Sequence, residues 1–457
     1  MNAHTSNIQL TGIRHEKQII REHIAKESYS LSKQISSRNL PIHLLETMNV
    51  GQIDRKVKNG GSITFEEAFV GMCYVIAATN KHFLNTYQHS LGKAYGIKRF
   101  SHDRAIAVGT AFLNLMAVKE SFFGLTADEI SGMVSAGLMD TVMSLKHERI
   151  LETCGMGGDK GFGEEGSRIK SINVSTLSAI VLASLGCVVA KHGSYANTTV
   201  VGSTDSLELF GANTNPLSEN SLIQIWNSTN FCYLDAHLSK TLHDLSHLIM
   251  METVNHVVGP MTPPFDSQTQ VVKIMGVNEK VSPRSVALAY ANLHQRSIQS
   301  NKGVFIIAGL NSHIDSSASE VSDEYLRKNV ILDELSPFAS FVSISIKDRY
   351  VGDEIVTPED FGISINPKMI TVQGNREAIH IANQEAIYGN NHHLVDYLSM
   401  NAALGLYAWK HLDWHEQTGS SHLNREILRK CFAECKQAIV SGKARATLEE
   451  FTRQSNE

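Results

Sequence analysis

Several absences narrow the class of this chain. No apolar run approaches the roughly 18 residues that a membrane-crossing helix needs, so a membrane partner is not expected. Cysteine is sparse: positions 73, 154, 187, 232, 431 and 435 are scattered along 457 residues with no paired metal-ligand spacing. Reduced thiols are the expectation, and Cys431 and Cys435, four apart, read as packing residues on one helix face. Blocks of like charge are missing too. The 41 basic and 46 acidic residues balance to a formal -5, which argues against a nucleic-acid arm and leaves small molecules as partners. The opening Met-Asn-Ala-His-Thr-Ser-Asn lacks the charged and apolar regions of a signal peptide, so a cytoplasmic protein is expected.

What is present is organised around Leu151 to Gly211. A short strand candidate, Leu151-Glu152-Thr153-Cys154, breaks into Gly155, Gly157 and Gly158 and ends at Asp159. Glycines in such a turn let backbone N–H groups converge on an anion. Asn173-Val174-Ser175-Thr176 then leads into an apolar helix with a Ser/Thr N-cap and a stop at Gly186, and its first turn favours a second anion. The next strand candidate, Cys187 to Ala190, delivers Lys191-His192-Gly193 to the same cleft, followed by Gly202-Ser203-Thr204-Asp205. Two anion nests and a lysine converge.

At this length two domains are the default. Residues 1–40 are polar, with a possible helix over 15–32, and read as an extension that is either a surface helix or a docking arm. Helical patterns fill 41–145, where Thr64 to Glu67 caps one helix and 103–119 forms another. From 146 to 457 strand and helix candidates alternate, and Gly303 to Gly309 reads as a central strand. The expected fold is therefore α/β: a small N-terminal helical domain, with a contribution from about 237–256, and a large domain with a mainly parallel sheet covered by helices.

GMGGD, NVST, KHGS and GSTD occur in that order, and the chain resembles the anthranilate phosphoribosyltransferase family, whose hallmarks are GTGGD, N-[IV]-S-T, KHGN and GS-x-D. The likeness continues through Gly259-Pro260, Asp333-Glu334-Leu335-Ser336-Pro337 and Asn401 to Tyr407, and spans about 40–452. Segments near 80–102, 160–171 and 311–329 read as insertions. The resemblance implies a donor, 5-phosphoribosyl-1-diphosphate, bound with Mg2+, and a homodimer through the N-terminal helices, where Phe112, Leu115 and Met116 share a face. Donor contacts would come from Gly155, Gly157, Gly158, Asp159, Asn173, Ser175, Thr176, Lys191, Gly193 and Ser203, with Lys191 and His192 in catalytic roles. Metal ligands would be Ser175, Asp333 and Glu334, although Asp323-Glu324 and Asp353-Glu354 are acid pairs as well.

On the acceptor side the chain departs from the family. Ser246 stands where an arginine is expected, Glu252 where a second one is, and Ser194 and Tyr195 replace the asparagine of KHGN and the arginine after it. Losing cations and gaining an acid suits an anionic aromatic poorly. The expected acceptor is a nitrogen heterocycle or amine without a carboxylate, entering beside His192, Ser194, Tyr195, Asn197, His243, Ser246, His247 and Pro260. His237, His243, His247 and His256 are read as one histidine-rich helix, where His243-Asp244-x-x-His247 superficially resembles a zinc helix. Three alternatives stay open: a true anthranilate phosphoribosyltransferase, a nucleoside phosphorylase, and a non-enzymatic nucleic-acid-binding relative.

Overall fold

The computed structural model describes residues 16–22, 31–142, 144–157, 171–196, 200–215, 218–314, 317–372 and 374–457. Gly158, Asp159, Asn197 and nearly all of the 160–171 insertion lie outside the described residues. The chain divides into two compact units, one of residues 1–146, 215–219 and 234–267, the other of 147–214, 220–233 and 268–457.

The first unit is helical. Capping boxes start three of its described helices: Asn49 with Gln52 opens Val50–Lys58, Thr64 with Glu67 opens Phe65–Thr79, and Thr126 with Glu129 opens Ala127–Met139. Phe65–Thr79 is buried on nearly every side, so it is a central helix rather than an amphipathic surface one. Gly71 admits the Phe112 ring, since a Cβ there would lie 2.1 Å from it, and Gly132 admits the Phe65 carbonyl at 2.2 Å.

The structure corrects the expected dimer face, because Phe112 and Met116 are fully buried within this core. Truncating a buried phenylalanine of this kind to alanine costs about 3–5 kcal/mol. The same helix, His102–Phe123, is long and apolar enough to cross a membrane. Its place is in this unit, where Lys119 makes a buried 2.8 Å ion pair with Glu129. Phe122 and Phe123, at its end, are exposed. The 80–102 segment is structured as well: Lys81–Lys93 is a helix with Phe83, Leu84 and Leu91 buried, and Tyr95 packs against Tyr74 and Phe100.

The second unit carries an eight-stranded sheet: β1 (Arg149–Gly155), β2 (Val189–Gly193), β3 (Phe231–Asp235), β4 (Gln270–Gly276), β5 (Asn301–Leu310), β6 (Val330–Leu332), β7 (Ser340–Ile346) and β8 (Arg349–Val356). Their order is β3-β2-β1-β4-β5-β7-β8, with β6 on β5. The pairs β1–β2, β1–β4 and β4–β5 are parallel, and antiparallel pairs lie toward β6, β7 and β8.

Strand alternation assigns the two faces. Leu151, Ile274, Phe305 and Ile344 join one apolar cluster with the helices Val174–Ser184, His392–Lys410 and Arg425–Val440. Cys431 and Cys435 are buried in that cluster. In the 311–329 segment, helix Asp323–Asn329 buries Leu326 and leads into β6. Chain order reverses at β1, whose neighbours are β2 and β4. In an open α/β sheet such a switch point opens a crevice at the carboxyl ends of the strands, and the glycine loop leaves β1 there.

Candidate active site

Glycines stand at the carboxyl ends of β1, β4 and β5 because another segment crosses above them. A Cβ on Gly155 would lie 2.0 Å from Asp333 Oδ2, one on Gly276 would lie 1.4 Å from the Asp333 carbonyl oxygen, and one on Gly309 would lie 2.4 Å from that of Glu334. The bare Cα of Gly155 thus makes room for a carboxylate of the protein itself, a role the motif alone did not reveal. Gly157, at φ 74°, donates its N–H to Asp333 Oδ2 at 2.8 Å.

Leu335 N–H donates to Asn401 Oδ1 at 2.8 Å and Ser336 Oγ to the Leu310 carbonyl at 2.6 Å, pinning the crossing on both sides. Glu334 Oε1 accepts from Ser171 Oγ at 2.9 Å and Tyr397 at 2.8 Å. Of the acid pairs named above, this is the one that meets the glycine loop among the described residues. Asp353 and Glu354 are occupied by Arg284, Arg425 and His422, and Asp323–Glu324 opens a surface helix.

Lys191 stands on β2 with its ammonium buried, donating to the Thr153 carbonyl at 3.0 Å and to Ser175 Oγ at 3.1 Å. Burial pulls it down to about 8, with Asp333 among the charges that oppose the fall. Ser175 lies in the first turn of Val174–Ser184. The expected Ser/Thr N-cap is corrected: Asn173 holds that position and makes no side-chain cap. Its amide instead donates to the Val201 carbonyl at 3.0 Å and accepts from Asn383 at 2.9 Å, so it ties the Val201 loop to the helix Arg376–Ile387. The Thr176 hydroxyl is buried without a partner among the described residues.

Gly193 clears Ser203, which would lie 2.7 Å from a Cβ. Ser194 Oγ bonds the next carbonyl. Tyr195 is buried, its hydroxyl 2.6 Å from Glu208 in the same unit.

On the opposite sheet face lies a charge network that sequence reasoning missed. Glu152 and Lys273 are register partners on β1 and β4, fully buried, with Nζ 2.6 Å from Oε2. The other carboxylate oxygen takes Nδ1 of His192. Burial would raise the Glu152 carboxyl, yet the Lys273 and His192 charges hold it down at about 2. Lys273 is raised in turn, the Cys154 thiol and the Glu152 carboxylate outweighing its burial. An ionised Glu152 accepts, so Nδ1 of His192 carries the proton of their shared hydrogen bond. The signal that could have revealed the network is one acid and one base within two otherwise apolar strands.

The remaining acceptor-side residues belong to the helical unit. The single histidine-rich helix is corrected to three short ones, Ala236–Ser239, His243–Ile249 and Asn255–Val258, the second ending at Met250 with a left-handed φ of 52°. Rings of His237, His243 and His247 still gather, with centroids 5.0 to 6.5 Å apart. Gly259 backs His243, whose Cε1 would lie 2.7 Å from a Cβ, and Pro260 follows it. Ser246 Oγ bonds Thr253 Oγ1 at 2.8 Å and Asn255 Nδ2 at 2.7 Å, while Glu252 is exposed. Asp244 pairs with Arg21. No group of three His, Cys, Asp or Glu among the described residues is arranged to hold a metal.

Residues 147–311 match the family model described as glycosyl transferase family, a/b domain. The anthranilate phosphoribosyltransferase of Symbiobacterium thermophilum is 27% identical over 351 residues, 75% of this chain and 87% of that protein. Its counterpart from Methanococcus vannielii is 29% identical over 303 residues, 65% of this chain and 80% of that one. Among solved structures, the Saccharomyces cerevisiae enzyme in complex with PRPP and Mg superposes with a TM-score of 0.58 at 20% identity, covering 86% of this chain and 92% of that one. This chain is thus similar to anthranilate phosphoribosyltransferases over most of its length.

In this chain the described part of the glycine loop, the lysine and the acid pair belong to one unit. Lys191 bonds Ser175, Gly157 bonds Asp333, and Gly155 makes room for the Asp333 carboxylate.

Proposed function

We propose that the protein transfers the phosphoribosyl group of phosphoribosyl diphosphate, with magnesium, to a nitrogen acceptor without a carboxylate. The observation that carries the donor half is the passage of Asp333–Glu334 over the glycine ends of β1, β4 and β5, within reach of Gly157 N–H and in the field of Lys191. Lys191 supplies compact charge to a phosphate, and the uncapped first turn of Val174–Ser184 adds backbone donors.

The residues fit a magnesium ion. Asp333, Glu334 and Ser175 offer hard oxygen ligands on partly exposed side chains, too few for an all-protein cage and suited to an ion shared with a diphosphate. Bound there, magnesium would neutralise the departing diphosphate. The acceptor nitrogen forms a bond to ribosyl C1 as the C1–oxygen bond to diphosphate breaks, and the nitrogen's proton passes to a base. His192 is that base in our reading, its Nδ1 side held by Glu152.

The acceptor half rests on the wall of the helical unit, where Ser246 is engaged with Thr253 and Asn255. A buried carboxylate without a cation costs several kcal/mol or neutralises. Titration calorimetry tests the donor half: phosphoribosyl diphosphate should bind in magnesium, and Asp333→Ala with Glu334→Ala should weaken it. A steady-state assay at saturating donor tests the acceptor half. Anthranilate turnover at about 1 per second or faster, typical of metabolic enzymes, would establish anthranilate as the substrate, as the relatives' names suggest.

A further inference from the structure

Within the polar extension before residue 40, residues 16–22 do not form a fully solvated surface helix. Residues 16–22 are helical, and two cations four residues apart on one face, Lys17 and Arg21, are 2% and 4% exposed. Lys17 Nζ reaches Asp235 Oδ2 at 3.0 Å, and Oδ1 of the same carboxylate accepts from His237 N–H at 2.8 Å, at the start of Ala236–Ser239. Arg21 Nη1 donates to the carbonyls of His237 at 3.2 Å and Lys240 at 2.8 Å, at the other end of that helix. Its guanidinium also forks onto both oxygens of Asp244, in the next helix.

Every one of these contacts falls on the stretch that carries His237, His243 and His247. The two helices there have four and seven residues, too short to hold their shape by their own hydrogen bonds. Another constraint must fix them, and a planar bidentate cation is the side chain best suited to do so. Lys240 anchors the far side, with Nζ 3.1 Å from the Gly259 carbonyl and 2.8 Å from Thr262 Oγ1.

We propose that residues 16–22 are a clamp for the acceptor wall, in which Lys17 and Arg21 are positioning residues that set the three imidazoles. This rests on the reading of that wall given above. It also accounts for the missing cation on the helix: the wall's arginine comes from the N-terminal segment and is neutralised by Asp244, so it orders the site without offering charge to an anionic acceptor.

The test uses the full chain and diethyl pyrocarbonate as the probe of imidazole accessibility, with modification mapped by mass spectrometry. In Arg21→Gln, the rates at His237, His243 and His247 should rise at least fivefold, while exposed His422 is unchanged. Arg21→Lys should recover most of the protection. Binding of phosphoribosyl diphosphate with magnesium should stay within twofold of wild type. If Arg21→Gln fails to fold, Asp244→Asn removes the other half of the fork and should give the same rise. Unchanged rates in the variant that folds would overturn the clamp. Absence of donor binding in the wild type would defeat the phosphoribosyltransferase reading instead, and the histidine rates would still judge the clamp.

Discussion

Replacing Lys273 by methionine removes the cation from a carboxylate that has no solvent. Glu152 and Lys273 are both 0% exposed, and Glu152 keeps its charge because Lys273 and His192 outweigh the cost of burial. Breaking a buried pair by deleting one partner typically costs about 3–5 kcal/mol. The linkage gives an independent scale. Glu152 lies at about 2 against an ordinary 4.5, which corresponds to roughly 3 kcal/mol of stability. A depressed carboxyl contributes that stability above the unfolded value near 4.5 and loses it as the pH falls toward 2. The Lys273→Met protein should therefore be less stable by about 3–5 kcal/mol at pH 7, with a smaller deficit at pH 4, where Glu152 can take up a proton.

All three tryptophans, Trp226, Trp409 and Trp414, belong to the sheet unit. Tryptophan fluorescence in urea thus reports the unit that holds the pair. Glu152→Gln combined with Lys273→Met leaves no uncompensated charge and should recover much of the loss, since neutral replacements of a buried pair are often tolerated. A single variant within 1 kcal/mol of wild type at pH 7, or a double variant worse than the single, would refute the reasoning.

Gly276→Ala places a methyl 1.4 Å from the Asp333 carbonyl oxygen, so it should displace the acid pair and abolish magnesium-dependent donor binding in calorimetry while the fluorescence transition persists. Lys191→Met should weaken phosphoribosyl diphosphate binding by about 1.5–3 kcal/mol, the usual worth of a hydrogen bond to a charged group, which calorimetry reads as a ten- to hundredfold rise in Kd. A homodimer, which we propose from the family resemblance, should use the exposed Phe122 and Phe123 instead of the buried Phe112 and Met116. Phe122→Glu with Phe123→Glu should then give a monomer by light scattering at micromolar protein.

The donor half was legible because each of its parts is local in sequence. A glycine run, a helix start and a lysine at a strand end carry their physics within a few residues. Even there the motif misled in one respect, since Gly155 and Gly276 are bare to admit Asp333, which lies far away in the chain. Phe112 and Met116 were misread because a periodic apolar face does not say whether its partner is the same chain. Here Gly71, on the adjacent helix, receives the Phe112 ring.

What the sequence could not disclose is pairing between distant polar residues. Glu152 and Lys273 are 121 residues apart and meet only because β1 and β4 are neighbours in register. The histidine wall was taken for one helix because histidine spacing carries no signal for a left-handed residue such as Met250. Arg21 is the sharpest case. The argument against an anionic acceptor ran from the missing arginine at Ser246, yet an arginine does reach the wall, from 223 residues away in the chain, and ends on Asp244. That changes the reason for the expectation without reversing it. An arginine already committed to a carboxylate and two carbonyls has little left for a substrate carboxylate; on the proposed reading selectivity turns on the pairing of Arg21 with Asp244, and an Asp244→Asn protein should gain affinity for anthranilate over the wild type.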